Sequence, residues 1–310
     1  MTFLRAYTVG TKPHPLLVPD RSEGYRRIRD AMEQARREIE ESEAELLVLY
    51  STKWLSILGH QIQADPEPRW TYVDPEWHDL GSIPYHFRMD SEFAEAYREA
   101  AEARGLRART VAHHGFPIDT GSIVALKLLN PDNRIPACVV SCNMYADRAE
   151  TLILGKAAAD AVAASGKKAV AVAVTQFSNR MHTDFIDFAD DRISALKDDE
   201  WNRKMLEFLG EGRLEDVSQL ARQFYREANA DQKFKAIWWL AAAMGQHNNY
   251  DGEVLAYAPV WGTGTGVVRL VPGVGAAKNL EFDEDDVEIF RGDRNVLAGG
   301  APAESSDDTD

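Results

Sequence analysis

The chain has 310 residues, of which 45% are hydrophobic, and a formal net charge of -15. This composition predicts a globular protein with a substantial core. No apolar run approaches the roughly 18–20 residues that span a bilayer, and the first residues lack the apolar core of a signal peptide, so we expect a cytoplasmic protein without a membrane segment. A chain this acidic is also a poor nucleic-acid binder, because phosphate contacts need Lys and Arg.

The first half of the chain alternates between strand and helix patterns. Continuous apolar runs predict buried strands at residues 3–9, 45–51, 106–112 and 137–142. Spacings of three and four between apolar residues predict helices at residues 25–39, 90–104 and 149–164, whereas residues 123–129 fit a short helix or a strand. Asp90 is a predicted N-cap of the second helix, and Gly105 ends it. This alternation indicates an α/β fold.

In the second half of the chain, a continuous apolar run predicts a buried strand at residues 169–174. Apolar residues at helical spacing then predict three helices, at residues 201–208, 214–224 and 234–244. A hairpin-like pair follows at residues 254–260 and 266–270. We therefore predict one α/β domain over residues 1–280, with a mixed central sheet flanked by helices and a helical insertion before the last strands. Residues 281–310 carry 11 acids and two arginines, so we expect an acidic, disordered tail.

The only two cysteines, Cys138 and Cys142, lie within one of the predicted strands. Four residues of strand span about 13 Å. A disulfide requires Cα atoms roughly 4.4–6.8 Å apart, so the strand excludes a bridge between them. Two cysteines alone are also too few for a structural zinc site.

Residues 255–266 read LAYAPVWGTGTG and resemble the catalytic stretch of triosephosphate isomerase. That family has its catalytic glutamate where this chain has Ala258, and its barrel needs two further βα units after the motif. Only 44 residues remain here, so the isomerase is rejected. The glycines instead predict a tight turn or a close backbone approach. A phosphate cradle is weakly supported, because no Lys follows and no helix begins there.

Several separate stretches together resemble one family. They are YSTKWL at 50–55, GFPIDTGS at 115–122, DEWNRKML at 199–206, FKAIWWL at 234–240 and the stretch at 255–266. In order and spacing they resemble the class III extradiol ring-cleavage dioxygenases of the protocatechuate 4,5-dioxygenase type, over roughly residues 3–272. The resemblance is strongest to the α-type subunits of the members that cleave aminophenols.

The resemblance implies a non-haem Fe(II) held by two His and one carboxylate, with a further His as acid/base. His14, in Pro-His-Pro, matches the first ligand. Lys53 stands where the second His is expected, and a protonated Lys has no lone pair for a metal. Asn179 stands where the acid/base His is expected and cannot shuttle a proton at neutral pH. Glu253 is the nearest candidate for the carboxylate.

These replacements imply a vestigial site and a non-catalytic α-type subunit. The chain is then expected to hold no cofactor of its own and to pair, as a heterodimer or heterotetramer, with a homologous catalytic β subunit that holds the Fe(II). The substrate of the pair is expected to be an aminophenol- or catechol-like aromatic. Lys53 is expected to fill the vacated metal position and to pair with a carboxylate such as Glu253.

Two alternatives remain open. One is an active Fe(II) dioxygenase, or another activity on the same scaffold, with a rewired metal site built from His14, His60 and Glu253, with His113 or His114 as further candidates. In that case His182 or Asp184, which follow Asn179, would replace it in proton transfer. The other is a homo-oligomeric binding or scaffold protein. Trp238 and Trp239 are interpreted as core or subunit-interface anchors.

Overall fold

The computed structural model describes residues 3–113, 115–116 and 118–274, so the predicted acidic tail lies outside the described residues. Eight strands form the central sheet: β1 (Phe3–Val9), β2 (Leu46–Ser56), β3 (His60–Gln63), β6 (Ala108–Val111), β7 (Ala137–Asn143), β8 (Ala169–Val174), β9 (Tyr250–Val260) and β10 (Thr263–Pro272). A separate antiparallel pair consists of β4 (Arg69–Tyr72) and β5 (Ile83–His86).

The helices alternate with these strands through the first half of the chain and then occur in a row. They are α1 (His14–Leu17), α2 (Glu23–Glu41), α3 (Ser91–Ala103), α4 (Thr120–Leu129), α5 (Arg148–Ser165), α6 (Leu196–Gly210), α7 (Leu214–Ala228) and α8 (Lys235–Met244). Single 3-10 turns lie at Pro19–Arg21, His78–Leu80, Phe188–Asp190 and Asp231–Phe234.

The strand order of the large sheet is β6-β3-β7-β2-β8-β1-β10-β9. The central strands β7, β2, β8 and β1 are mutually parallel, whereas β10 runs antiparallel to both β1 and β9. This mixed sheet confirms the predicted fold class. Because parallel strands point the same way, the segments that follow β1, β2, β7 and β8 emerge at one edge of the sheet.

Helices cover both faces of the sheet. One apolar core packs the sheet against α2, α4 and the β4–β5 pair, and the other packs it against α3 and α5–α8. Burial on both faces explains why β7 and β8 are apolar at almost every position. The predicted helical insertion is confirmed, since α6, α7 and α8 lie between β8 and β9.

Side-chain caps account for the starts of several helices. The Asp90 carboxylate accepts a hydrogen bond from Phe93 N at 3.0 Å and begins α3 as predicted. Asp119 and Asp147 cap α4 and α5 in the same way, so residues 123–129 are helical rather than extended. The sequence patterns missed β3, β4 and β5, which are four residues each and contain no continuous apolar run. Both cysteines are free and buried, as expected.

The glycines near the end of the sheet make one turn and two close approaches. Trp261 and Gly262 connect β9 to β10 with φ values of 51° and 79°, the left-handed pair that two-residue hairpins require. A Cβ on Gly264 would lie 2.2 Å from Asn202 Nδ2, and one on Gly266 would lie 2.6 Å from Phe177 Cε2. The tight turn and close approach predicted from the sequence are therefore both present.

Within the described ranges, no helix combines the length and the apolar character that crossing a bilayer requires.

Close packing of α5 on α8 predicts that Gly155 cannot be enlarged. A Cβ there would lie 2.3 Å from the backbone oxygen of Trp239, so Gly155→Ala is expected to destabilise the protein by about 1–3 kcal/mol in urea unfolding. Gly210→Ala is the matched control, because its nearest neighbour, Val254 Cγ2, lies 3.5 Å away. The control should be neutral or stabilised by less than about 1 kcal/mol. Equal effects at both positions would contradict the packing argument.

Candidate functional site

His14 follows β1 at the edge where the parallel strands end, and it begins the one-turn helix α1. Its side chain is fully buried. Four aromatic rings surround it: Trp77, Tyr25, Phe188 and Trp261, with centroid distances of 4.5, 5.2, 5.7 and 6.2 Å. We call these four rings the aromatic cage. They fill the space around the imidazole with apolar surface.

Neither ring nitrogen of His14 has a hydrogen-bond partner among the described residues. Burial, and after it the charge of nearby Lys12, lowers the pKa of His14 to about 3. The imidazole is therefore neutral at pH 7. Leaving two buried polar atoms unpaired is unfavourable by roughly 1–3 kcal/mol each. The buried imidazole of His14 therefore forms no hydrogen bond that would stabilise the described fold.

Lys53 does not reach the carboxylate expected from the sequence. Its Nζ donates to Glu76 Oε2 at 3.2 Å, and Lys12 Nζ lies 3.6 Å from the same oxygen. We call Lys12, Lys53 and Glu76 the lysine–glutamate cluster. Lys12 is only 3% exposed, whereas the side chains of Lys53 and Glu76 are 29% and 46% exposed. The cluster thus joins a buried cation to the protein surface.

Two lysine ammonium groups share the carboxylate of Glu76 in this cluster, and neighbouring charges shift the pKa values of Lys12 and Glu76. Burial, and after it the neighbouring Lys53 charge, lowers the pKa of Lys12 to about 8 against the opposing effect of Glu76. Burial acts to raise the pKa of Glu76, but Lys12 and Lys53 together hold it below its usual value. Glu76 is therefore ionised at neutral pH, and a net positive charge remains beside the aromatic cage.

A single aspartate positions the loop that carries Glu76 and Trp77. Asp74 Oδ1 accepts from the backbone nitrogens of Glu76 and Trp77 at 2.8 and 3.2 Å. Its other oxygen accepts from the Thr120 hydroxyl at the start of α4. The loop is thereby fastened across the sheet edge, which places Trp77 on His14 and Glu76 between the two lysines.

Asn179 follows β8, and its side chain donates from Nδ2 to Asp231 Oδ1 at 3.1 Å. Asp231 also accepts from Thr52 Oγ1 at 2.5 Å and from the backbone nitrogen of Gln176 at 3.3 Å. Since Thr52 precedes Lys53 on β2, this buried carboxylate ties the ends of β2 and β8 together. The amide of Asn179 is occupied by a structural hydrogen bond.

A second buried aspartate holds the β9–β10 turn over the cage. Asp191 accepts from the hydroxyl of Tyr25 at 2.7 Å, from Gly262 N at 2.9 Å and from Trp261 N. His182 Nε2 lies 3.2 Å from the same carboxylate and 3.0 Å from the carbonyl oxygen of Arg192. His182 therefore contacts the carboxylate that holds the β9–β10 turn. Asp184, two residues further along the chain, is exposed.

The expected position of Glu253 at this site is wrong. Glu253 lies within β9, where it is paired in register with Arg269, and its Oε2 is 2.7 Å from Arg269 Nη2. Arg269 in turn pairs with Tyr7 in the middle of β1. Glu253 therefore lies level with the middle of β1, whereas His14 lies beyond the carboxyl end of β1. The sequence pattern could not show this, because a strand's length decides which residue reaches the edge.

The other histidines do not join His14 either. His60 begins β3, and its Nε2 lies 2.9 Å from Glu150 Oε1 in the first turn of α5. His113 is exposed, and His114 lies outside the described residues. The rewired set of His14, His60 and Glu253 is therefore not assembled. Trp238 and Trp239 are buried, and their ring nitrogens donate to Ser218 O and Tyr97 Oη, so they are core residues.

The residues at this edge do not fit the two-His-one-carboxylate iron centre that the family resemblance implies. His14 retains two unpartnered nitrogens, which suits one ligand, but Lys53 offers an ammonium and Asn179 a bonded amide. Across residues 3–113, 115–116 and 118–274, no group of three or more His, Cys, Asp or Glu side chains is arranged to hold a metal ion.

Sequence reasoning missed Lys12, Glu76 and Asp231. Lys12 stands two residues before His14, and that proximity was an available signal. Glu76 lies in an irregular segment after β4, and Asp231 begins the 3-10 turn after α7; no periodicity or motif marks either residue. Their roles arise from contacts with residues 23 to 179 positions away in the chain.

The buried imidazole predicts a specific dependence of stability on pH. The pKa of His14 is lower in the folded chain than its usual 6.5, so the unfolded chain binds more protons below pH 6.5. Stability is therefore lost as the pH falls from 6.5 toward 3. Between pH 7 and 5, the wild-type chain should lose about 2 kcal/mol more than His14→Phe, whose ring suits the cage and does not titrate. Urea unfolding at both pH values measures this, and parallel losses would refute it.

Comparison with known proteins places the chain in a family. Residues 10–268 match the family model described as the catalytic LigB subunit of aromatic ring-opening dioxygenase. The chain is 30% identical over 270 residues to the 2-aminophenol 1,6-dioxygenase alpha subunit of Pseudomonas sp, covering 87% of this chain and 99% of that subunit. It is 33% identical over 262 residues to the beta subunit, covering 81% and 86%.

A solved structure shares the fold. The crystal structure of the uncharacterized protein JW3007 from Escherichia coli K12 superposes with a TM-score of 0.59, at 12% identity, over 86% of this chain and 99% of that one. That likeness concerns the fold alone. The match over residues 10–268, together with the two relatives, shows that the chain belongs to the LigB family of class III extradiol, aromatic ring-opening dioxygenases.

Proposed function

We propose that this chain is a non-catalytic, α-type subunit of a heteromeric extradiol dioxygenase that opens an aminophenol- or catechol-like ring. One observation carries the proposal: both replaced positions have internal bonding partners. Lys53 is bound to Glu76, and Asn179 is bound to Asp231. The Lys53 ammonium has no lone pair to offer a metal, and the Asn179 amide is oriented by its bond to Asp231, so neither side chain replaces a histidine ligand or acid/base.

The space beside His14 supports the same conclusion. A small aromatic substrate needs an apolar cleft with a few polar groups. Here the aromatic cage is occupied by the protein's own rings, and His14 is fully buried within it. A substrate ring and dioxygen would have to displace Trp77 or Trp261, both of which are fastened through aspartates.

The charge at the edge also disfavours a cation. Lys12 and Lys53 place two positive charges against the single carboxylate of Glu76. A divalent ion brought close to that pair would be repelled, and the repulsion is strongest near buried Lys12, where water screens poorly. The lysine–glutamate cluster thus replaces, with an internal ion pair, the positive charge that a metal would bring.

The partnership follows from the relatives. Both similar Pseudomonas proteins are subunits of 2-aminophenol 1,6-dioxygenase, one alpha and one beta, and their identities to this chain are comparable. Sequence identity therefore does not distinguish an alpha-type from a beta-type subunit. The alpha type is favoured by Lys53 and Asn179, which stand where a catalytic subunit is expected to have His. The proposed partner is a homologous catalytic subunit that holds Fe(II), in a heterodimer or heterotetramer.

The unpartnered nitrogens of His14 are the observation that favours an active chain with its own iron. Such a chain would need two further iron ligands, and the fold would have to rearrange to bring them next to His14. A homo-oligomeric binding protein is the third possibility, and it predicts assembly without any homologous partner. Iron binding by the lone chain and its assembly with a homologous partner separate these three possibilities.

Iron content and turnover distinguish a non-catalytic subunit from an active chain. The chain purified alone, under reducing conditions with Fe(II) supplied, should bind well below one iron per chain and should not cleave 2-aminophenol or catechol. Co-expressed with a family member from the same organism that has His at the positions of Lys53 and Asn179, it should give a complex with iron and ring-cleaving activity. Metal analysis and ultraviolet absorbance of the product measure both. Stoichiometric iron and turnover in the lone chain would disprove the proposal.

Equivalent substitutions in the two subunits of that complex show which subunit holds the metal. His14→Phe in this chain should leave kcat and the iron content of the complex within about twofold, because the imidazole is buried among the cage rings and has no hydrogen-bond partner among the described residues. Replacing the aligned histidine of the catalytic partner by Phe should remove iron and lower kcat by at least about 100-fold. Loss of iron with His14→Phe alone would assign the metal to this chain instead.

A further inference from the structure

Five large apolar side chains lie exposed together where β2 and β7 end. Leu55, Ile57, Leu58, Met144 and Tyr145 are 43%, 59%, 69%, 45% and 80% exposed. We call these five residues the apolar edge. Single exposed apolar residues are ordinary on a protein surface, but a cluster of this size marks an interaction site.

The five residues are neighbours in space because their backbones are paired. Leu55 lies opposite Cys142 in the β2–β7 register, and Ser56 lies opposite Asn143. Beyond the register, Met144 N donates to Ser56 O at 2.9 Å. The turn at residues 57–59 and the loop at residues 144–146 therefore lie side by side, so the apolar edge is one continuous surface.

A buried lysine holds this loop in place. Lys235, only 1% exposed, donates from Nζ to the backbone oxygens of Asn143 at 2.6 Å and Met144 at 2.9 Å. Asn143 Oδ1 accepts from Tyr145 N at 2.9 Å, and Ser56 Oγ donates to Gly59 O at 2.8 Å. Burying an ammonium against neutral carbonyls is costly. The bonds keep Met144 and Tyr145 facing solvent, where they cannot collapse onto the core.

The area of the apolar edge suits a stable protein partner. From ordinary side-chain areas, the five residues expose on the order of 500 Å² of apolar surface. A stable interface buries roughly 800 Å² on each partner, with an apolar centre and a polar rim. The apolar edge thus supplies the centre of an interface of normal size.

We propose that the apolar edge is the surface on which the homologous catalytic subunit docks. The inference rests on the proposed function for the existence of that partner. Charge argues against a second copy of this chain, because each copy carries a net charge of -15 and two copies repel each other. Leu55 follows Lys53 by two residues on β2, so the docked partner lies next to the lysine–glutamate cluster.

The test uses the full chain and the co-expressed catalytic subunit, with substitutions on exposed positions that the fold tolerates. Leu58→Arg and Tyr145→Arg place a charge in the centre of the apolar edge. Leu196→Arg is the matched control, because Leu196 is 76% exposed at the start of α6, outside the apolar edge. Circular dichroism and urea unfolding establish that all three variants are folded. Sedimentation and biolayer interferometry measure their binding to the catalytic subunit.

We expect Leu58→Arg and Tyr145→Arg each to weaken binding by at least about 30-fold, and Leu196→Arg by less than about threefold. If both edge variants bind as tightly as wild type, the docking surface is wrong while the two-subunit function stands. If wild type binds no catalytic subunit, both proposals fall. A wild-type homodimer that Leu58→Arg dissociates would overturn the choice of occupant and assign the edge to a second copy.

Discussion

The parallel pairing of β1, β8, β2 and β7 is the constraint on which the rest of this molecule depends. Because these strands run in the same direction, the segments bearing His14, Lys53 and Asn179 must emerge at one edge. Their backbones leave the hydrogen-bonded ladder there, within a largely buried region. Each polar group at that edge therefore needs a partner supplied by another part of the chain.

Three buried carboxylates supply most of those partners. Asp74 fastens the loop that carries Glu76, Asp191 fastens the β9–β10 turn, and Asp231 joins the ends of β2 and β8. Asp231 is followed by Gln232, Lys233 and Phe234, three consecutive residues with φ between 47° and 60°. Left-handed backbone at non-glycine residues is unfavourable by roughly 1–2 kcal/mol each, and the bonds of Asp231 with the packing of Phe234 on Phe177 and Phe224 offset it.

The same strand, β2, connects the three parts of the molecule that bear on function. Thr52 meets Asp231, Lys53 meets Glu76, and Leu55 begins the apolar edge. Under the proposed function, Leu55 of the docking surface lies two residues from Lys53 of the lysine–glutamate cluster on the same strand. The chain has an α/β scaffold of the dioxygenase family in which charged side chains bond to one another at the edge of the sheet.

The sequence by itself determined the fold class, the order of the long helices and strands, and the presence of Lys53 and Asn179 where the family resemblance implies His. Apolar periodicity and residue identity are local properties, and they sufficed for the α/β sheet, the helical insertion and the caps such as Asp90. Only the tertiary structure decided which carboxylate Lys53 meets. The sequence pointed to Glu253 and gave no signal for Glu76, but strand register pairs Glu253 with Arg269, and a loop held by Asp74 brings Glu76 to the edge. Pairings of that kind depend on where distant backbones run, and no local pattern encodes that.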